Sequence, residues 1–349
     1  MDKKILRGGV IGCGKMGLAH GTIINSLPNA KLVAICEPAK LIQNTFKEFA
    51  PHIAVYDNYI DALKRENLDF VFITTPSHMH VPIAMDCISF GCNFFVEKPL
   101  AINGAEAKPL IDELNGKKLI TMVGYMMRYM ATFQKAKEII SAGVIGPHIT
   151  FNAQIYVSQL FKKGKGWRYD KNKSGGGVIN TQAIHAIDLI SWYFGFPDHL
   201  NASLIAPHSK HTEDFGHITF NWNNGLMGWL DSSWSVYNHR MLETTIKIHG
   251  YNGNLTVNDD TIKLFLTKST KGYSEGWTIL RKPELETGVA IDIGGPLFTR
   301  QDQAFIDAIQ NNDLLKSDVY NAYRVQKIVD AVYTSGTNQG QLEVIDYNG

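Results

Sequence analysis

Gly12-Cys13-Gly14-Lys15-Met16-Gly17 spaces its glycines as G-x-G-x-x-G. That spacing suits a dinucleotide pyrophosphate. The first glycine permits a tight turn, the second lets the backbone approach the phosphates, and the third lets a helix pack closely on a strand. The helical stretch that follows, Leu18–Ser26, presents free N–H groups and a positive dipole end to the phosphates. A glycine turn of another α/β protein is the bland alternative, but the strand before the turn and the helix after it favour phosphate binding. Lys15 and Met16 join Gly12, Gly14 and Gly17 as expected cofactor-binding residues. Glu37 stands where an acidic side chain accepts hydrogen bonds from the adenosine ribose. Its carboxylate repels a 2′-phosphate, and its neighbour is Pro38 rather than an arginine. NAD is therefore expected over NADP.

Two further residues carry chemistry. Lys98 lies in Glu97-Lys98-Pro99, just past the apolar run Asn93–Val96. Open α/β sheets bind ligands at the carboxyl ends of their strands. An ammonium there can donate to a substrate oxygen and stabilise charge that develops as hydride leaves the adjacent carbon. Most lysines are solvated; the Glu97-Lys98-Pro99 context of this one argues otherwise. His185 follows the glycine triplet Gly175-Gly176-Gly177 on an apolar helix. Imidazole titrates near pH 6.5 and exchanges protons at neutral pH. A histidine among Ile184, Ala186 and Ile187 is otherwise a core residue. Thr181 and Asp188, four before and three after His185, share its face if the helix is regular. Asp188 either orients His185 or holds structure. Arg128, Tyr156, Trp167 and Arg168 suit sugar rings and acidic groups, although aromatics on strands more often serve the core. Asn180 and Gln182 are weaker polar candidates.

These residues need a frame. Residues 1–124 alternate β-branched runs (Gly9–Ile11, Lys31–Cys36, Ile53–Tyr56, Phe70–Thr74, Asn93–Val96, Leu119–Val123) with helical patterns at Tyr59–Glu66, Val81–Phe90 and Gly104–Asn115. Alternation of this kind implies a parallel, doubly wound Rossmann sheet with right-handed crossovers. After residue 124 the character changes. A helix at Phe133–Ser141 and a strand at His148–Gln159 lead to a helix over Val178–Phe194. Strands follow at Ile218–Trp222, Leu226–Ser233, Thr244–His249, Gly253–Val257 and Ile262–Leu266, with Asn223-Asn224-Gly225 as a hairpin turn. Two closing helices are expected, one beginning at a capping box on Thr299 and one over Val319–Thr334. Residues 125–349 thus read as an α+β domain with a mainly antiparallel open sheet, for substrate binding and oligomerisation, beside an NAD-binding domain at 1–124.

Composition is that of an ordinary globular chain: 44% apolar, 19% charged, with 34 basic and 33 acidic residues. There is no basic block for nucleic acid and no apolar stretch of membrane-spanning length. The N-terminus lacks a separate apolar segment with a cleavage site, so a cytoplasmic location is expected. Cys13, Cys36, Cys87 and Cys92 show no metal spacing and read as buried free thiols; no metal is expected.

Three blocks carry a resemblance. Thr74-Thr75-Pro76-Ser77-His78-Met79-His80, then Glu97-Lys98-Pro99, then Ser174–Gly177 with His185-Ala186-Ile187-Asp188-Leu189 resemble the glucose–fructose oxidoreductase / inositol dehydrogenase (Gfo/Idh/MocA) family in order and spacing. The likeness runs over nearly the whole chain. It implies a dehydrogenase acting on CH–OH groups of a sugar, cyclitol or nucleotide-sugar, with Lys98 as the polarising group and His185 as the base. In the family the Lys-Pro bond is commonly cis. Thr75, Pro76, Glu97 and Lys98 are expected to line the cofactor, as is one of His78 and His80, with His80 the candidate and the other histidine at the surface; Arg128, Tyr156, Trp167, Arg168 and Thr181 are expected to join Lys98 and His185 at the substrate. The family's sheets pair face to face, so a homodimer or homotetramer through the C-terminal sheet is expected. The chain departs from the family at Thr181, where many relatives carry Asp; threonine cannot tune His185 as a carboxylate does. Two rivals remain. An NAD-dependent glycosidase uses transient hydride transfer without net redox. A non-catalytic NAD-binding sensor needs neither Lys98 nor His185.

Overall fold

The structure, a computed structural model, describes residues 4–347. The chain forms two units, residues 1–126 with 288–323, and residues 127–287 with 324–349.

The first unit is built on β1 (Leu6–Ile11), α1 (Lys15–Ser26), β2 (Ala30–Cys36), α2 (Lys40–Phe49), β3 (Ala54–Tyr56), α3 (Tyr59–Arg65), β4 (Phe70–Ile73), α4 (His80–Ser89), β5 (Asn93–Val96), α5 (Gly104–Leu114) and β6 (Thr121–Val123). All six strands run parallel, in the order β3-β2-β1-β4-β5-β6. The order reverses between β1 and β4, which puts the glycine turn after β1 and the loop after β4 at the switch point of the sheet, where such folds bind ligands. β4 is buried on both faces, as a central parallel strand must be. The helix α10 (Pro296–Asn311) belongs to this unit too. Its Phe305 ring sits edge-on to Phe72 at 5.5 Å and Phe70 at 6.1 Å. A single cut after residue 124 does not express that return of the chain. Nor does α10 begin at Thr299. It starts at Pro296, whose fixed φ suits a first helical position, after Gly295 at φ 115°. Thr299 is inside the helix, and its hydroxyl donates to the Ile291 carbonyl at 2.6 Å.

The second unit contains α6 (Ala131–Ser141), β7 (His148–Tyr156), α7 (Lys171–Ser174), α8 (Ile184–Phe194) and the strands β8 (His199–Ile205), β9 (Phe215–Asn221), β10 (Met227–Ser233), β11 (Glu243–Gly250), β12 (Gly253–Asn258), β13 (Thr261–Leu266) and β14 (Gly276–Arg281). The short helix α9 (Lys282–Leu285) and strand β15 (Glu343–Val344) complete it, with residues 324–337 of α11 (Val319–Thr337). The sheet has nine strands in the order β14-β13-β12-β11-β7-β10-β9-β8-β15. Every pairing is antiparallel except β10 with β7. Strands alternate buried and less buried residues, as in Phe151, Ala153 and Ile155 against Asn152, Gln154 and Tyr156, the signature of a sheet packed on one face. The β9–β10 hairpin turns at Asn223-Asn224-Gly225, where Gly225 alone takes positive φ, at 91°.

Among the described residues no helix is long and apolar enough to cross a membrane, and no cluster of three or more His, Cys, Asp or Glu could hold a metal ion.

Candidate active site

The glycine turn has the geometry its spacing implies. Gly12 sits at φ 92°, which a side chain would strain. A Cβ on Gly17 would lie 2.0 Å from the Gly12 carbonyl, so the start of α1 can approach β1 only as glycine. Thr74, at the end of β4, closes the turn by donating its hydroxyl to the Gly12 carbonyl at 2.5 Å. Around Gly14, by contrast, a Cβ would meet nothing within 4 Å, and no side chain caps the N-terminus of α1. The N-terminus of α1 therefore begins beside open space at Gly14, with the helix dipole behind it. Lys15 is exposed and Met16 half-buried. Glu37 accepts from the Cys13 N–H at 2.8 Å and the Ala39 N–H at 3.0 Å, tying the turn to the end of β2.

The second loop at the switch point is braced by His80. Its Nδ1 lies 2.7 Å from the Pro99 carbonyl and its Nε2 2.9 Å from that of Thr75. Burial holds its pKa below the ordinary value, against the pull of the two carbonyls. His80, expected to touch cofactor, thus has both ring nitrogens on protein carbonyls and joins the Thr75-Pro76 loop to the Lys98-Pro99 turn. His78 is half-buried on the short helix Ser77–Met79, not displayed at the surface. The Lys98–Pro99 bond is cis. Glu97 is engaged within the fold: Oε2 accepts from the Lys98 N–H at 3.2 Å, and Oε1 lies 3.1 Å from His20 Nε2.

In the second unit the glycine triplet is organised by Glu213, which sequence reasoning did not single out. Its Oε1 accepts from the N–H groups of Gly177 and Ile179, both at 2.9 Å, and from the Tyr333 hydroxyl at 2.8 Å. The chain from Ile179 to Ala183 forms a π-helical turn, and the α-helix proper starts at Ile184. Such turns widen the helix and cluster at functional positions. Thr181 lies inside this turn and His185 just beyond it. The Thr181 hydroxyl donates to the Gly177 carbonyl at 2.7 Å. His185, at the start of α8, is buried.

Asp188 resolves toward structure. Its carboxylate receives a two-pronged hydrogen bond from Arg128, Nε to Oδ2 at 2.7 Å and Nη2 to Oδ1 at 2.6 Å, in a buried ion pair. Arg128 also lies over the Trp192 ring. A guanidinium so committed anchors α8 from below. Asn180 and Gln182 are likewise structural. Asn180 donates to the Ser174 carbonyl at 2.8 Å, and Gln182 donates to those of Ile155 and Ser233 at 3.0 and 3.1 Å. Gln182 thereby fixes the π turn over the ends of the parallel pair β7 and β10. Tyr156 ends β7, half-buried, with burial first pushing its phenol up to about 12. Trp167 and Arg168 stack on each other at 5.5 Å on the short helix Trp167–Tyr169, Arg168 being exposed.

Residues 6–125 match the profile of the oxidoreductase family with an NAD-binding Rossmann fold, and residues 133–256 match that of the GFO/IDH/MocA C-terminal domain. The chain belongs to the Gfo/Idh/MocA family. An oxidoreductase of Formosa agariphila is 26% identical over 75% of this chain and 82% of its own length. A levoglucosan dehydrogenase of Pseudarthrobacter phenanthrenivorans is 28% identical over 56% of this chain and 53% of its own. The scyllo-inositol 2-dehydrogenase (NAD(+)) of Bacillus subtilis is 28% identical over 54% of each. The match thus spans about half the length of the two named dehydrogenases. In fold, a solved levoglucosan dehydrogenase complex with NADH and levoglucosan superposes with TM-score 0.87 at 22% identity, over 97% of this chain and 99% of that one.

The NAD site of the Gfo/Idh/MocA family fits the residues present. The space beside Gly14 is open, α1 presents an uncapped N-terminus, and Glu37 supplies acceptors just past the end of β2. His20, Asp302, Glu213 and Tyr333 were not legible as parts of the site. Only Glu97 and the glycine triplet, which they hold, carried a sequence signal.

Proposed function

We propose that this chain moves a hydride between NAD and the carbinol carbon of a sugar, cyclitol or nucleotide-sugar. The observation that carries the reading is the Glu97-Lys98-Pro99 turn at the carboxyl end of β5, braced by His80 and next to the strand-end loop of β4. When bound, the nicotinamide supplies the hydride acceptor. Gly12, Gly14, Lys15, Met16 and Gly17 hold the pyrophosphate, Glu37 the adenosine ribose, and Thr75 and Pro76 the nicotinamide end. Lys98 donates to the substrate oxygen and stabilises the charge that grows there. His185 takes the hydroxyl proton. Thr181, whose proton points to Gly177, offers its oxygen as an acceptor to a substrate hydroxyl. Tyr156, Trp167 and Arg168 line the sugar. The names of the related levoglucosan and inositol dehydrogenases support this substrate class. The unit 1–126 with 288–323 binds NAD in this reading, and the other unit binds substrate and forms a homodimer or homotetramer through its sheet. A cytoplasmic site of action accords with four buried free cysteines.

A screen of polyols, sugars and nucleotide-sugars with NAD, followed by NADH absorbance, tests the proposal. At least one compound should give steady NADH formation. Release of a free sugar from a glycoside with no accumulation of NADH would instead identify a glycosidase. NAD binding with neither activity would leave a sensor.

A further inference from the structure

The buried centre of the first unit holds a row of charged side chains where apolar ones would pack at lower cost. His20 is on α1, three residues past Gly17, with its side chain fully buried. Its Nδ1 lies 2.7 Å from Asp302 Oδ2 on α10, and its Nε2 3.1 Å from Glu97 Oε1. The other Glu97 oxygen accepts from the Lys98 N–H at 3.2 Å. The row therefore runs from Asp302 through His20 and Glu97 to the backbone of Lys98. Phe72 and Phe95 enclose it, their ring centroids each 5.1 Å from the imidazole.

A neutral imidazole has one N–H and can serve only one of these carboxylates; an imidazolium serves both. Burial disfavours the charged ring. The charge and hydrogen bond of Asp302, joined by those of Glu97, outweigh it and push His20 up to about 10. Glu97 goes the other way. Burial alone would raise it, but its hydrogen bond to His20, the charge of His20 and then that of Lys98 hold it below the usual carboxylate range. Buried ion pairs are poor sources of stability, and a well-packed apolar set would do as well. What the row does supply is direction: with one oxygen on His20 and the other on the Lys98 N–H, the Glu97 carboxylate has one orientation.

We propose that His20, seated between Asp302 and Glu97, is a positioning residue that locks Glu97 and thereby fixes the Lys98 ammonium for hydride transfer. Glu97 is then a bracket for the turn, not a ligand of the cofactor, and Asp302 brings the distal segment of the chain into the positioning of the site. The proposal rests on the role given to Lys98 above.

Its test reads Lys98 directly. Reductive ¹³C-methylation gives each lysine its own NMR signal, and that of Lys98 is assigned by its loss in Lys98→Arg. Spectra are taken with NAD present, for wild type, His20→Gln and Asp302→Asn. The last variant keeps His20 facing Glu97 and decides the matter if His20→Gln does not fold. The Lys98 signal should shift or split in the folded variants while the other lysine signals stay in place. Turnover of the compound found by the screen should fall tenfold or more with NAD affinity within threefold, and should fall no further when His20→Gln is added to Lys98→Met. An unmoved Lys98 signal in a folded variant, or losses that multiply with Lys98→Met, would overturn the proposal. If the signal moves but Lys98→Met alone turns over normally, positioning stands and the catalytic reading of Lys98 fails.

Discussion

At the scale of single residues, the site is a set of side chains whose second partners decide their use. Glu37 is the clearest case. Its carboxylate already holds the Cys13 and Ala39 N–H groups, yet each oxygen keeps a lone pair for a ribose hydroxyl. NAD should therefore bind more tightly than NADP in titration. Glu37→Ala should weaken NAD by about 1–3 kcal/mol, through a lost charged acceptor and a loosened glycine turn. Tighter binding of NADP by wild type would refute this reading. His185→Asn should cost about 10²–10⁴ in turnover, the scale of a positioned acid–base group. The wild-type rate of alcohol oxidation should rise with pH through one ionisation that is missing from the variant. A folded variant that keeps both rate and profile would turn attention to another base. Lys98 and His185 could be singled out as candidates in the sequence because their neighbours form local blocks. His20 could not, since its partner Asp302 lies 282 residues away. Glu213 escaped for the same reason, reaching Gly177 across 36 residues.

At the scale of elements, the parallel strands were legible because burial on both faces writes them as apolar runs. Polar or edge elements were not. The helix α2 carries Ile42, Phe46 and Phe49 at helical spacing, but it buries only Gln43 and leaves Leu41 and Phe49 exposed, so burial marks it weakly. The strand β14 alternates half-buried and exposed residues, and β8 mixes Asn and Ser among its apolar positions. The π turn before α8 has no sequence signal at all, because Gln182 fixes it through the carbonyls of two distant strands. The packing of α10 on the parallel sheet gives an element-scale prediction. His20 has its pKa raised from 6.5 to about 10 by the fold, so the folded state binds the proton more tightly. The stability it contributes is complete below pH 6.5 and declines as pH rises toward 10. His20→Gln, which leaves Asp302 and Glu97 without their cation, should destabilise by about 3–5 kcal/mol near neutral pH. Its deficit against wild type in denaturant melts should shrink toward pH 10. A deficit that is constant with pH would mean that the ring is neutral in the fold.

At the scale of the whole molecule, the two units divide the chain unevenly, with residues 288–323 returning to the first. A cut at a change of pattern cannot show such a return, because the aromatic contacts of Phe305 that recruit α10 are long-range. The cysteines offer a global check of packing. Burial first pushes the thiols of Cys13 and Cys92 up to about 12 and that of Cys36 to about 11, and it raises that of Cys87 well above the ordinary thiol value. All four should resist a thiol reagent at neutral pH in the native protein and react on unfolding. Rapid reaction of one thiol in native protein would place it outside the core.

The central claim, that Lys98 polarises the substrate oxygen while NAD is held independently by the glycine turn, is tested most directly by Lys98→Met. Turnover of the substrate found by the screen is measured beside the dissociation constant for NAD. The account predicts turnover reduced by on the order of a hundredfold or more, with NAD affinity within about threefold of wild type. Near-normal turnover in a folded Lys98→Met protein would contradict it.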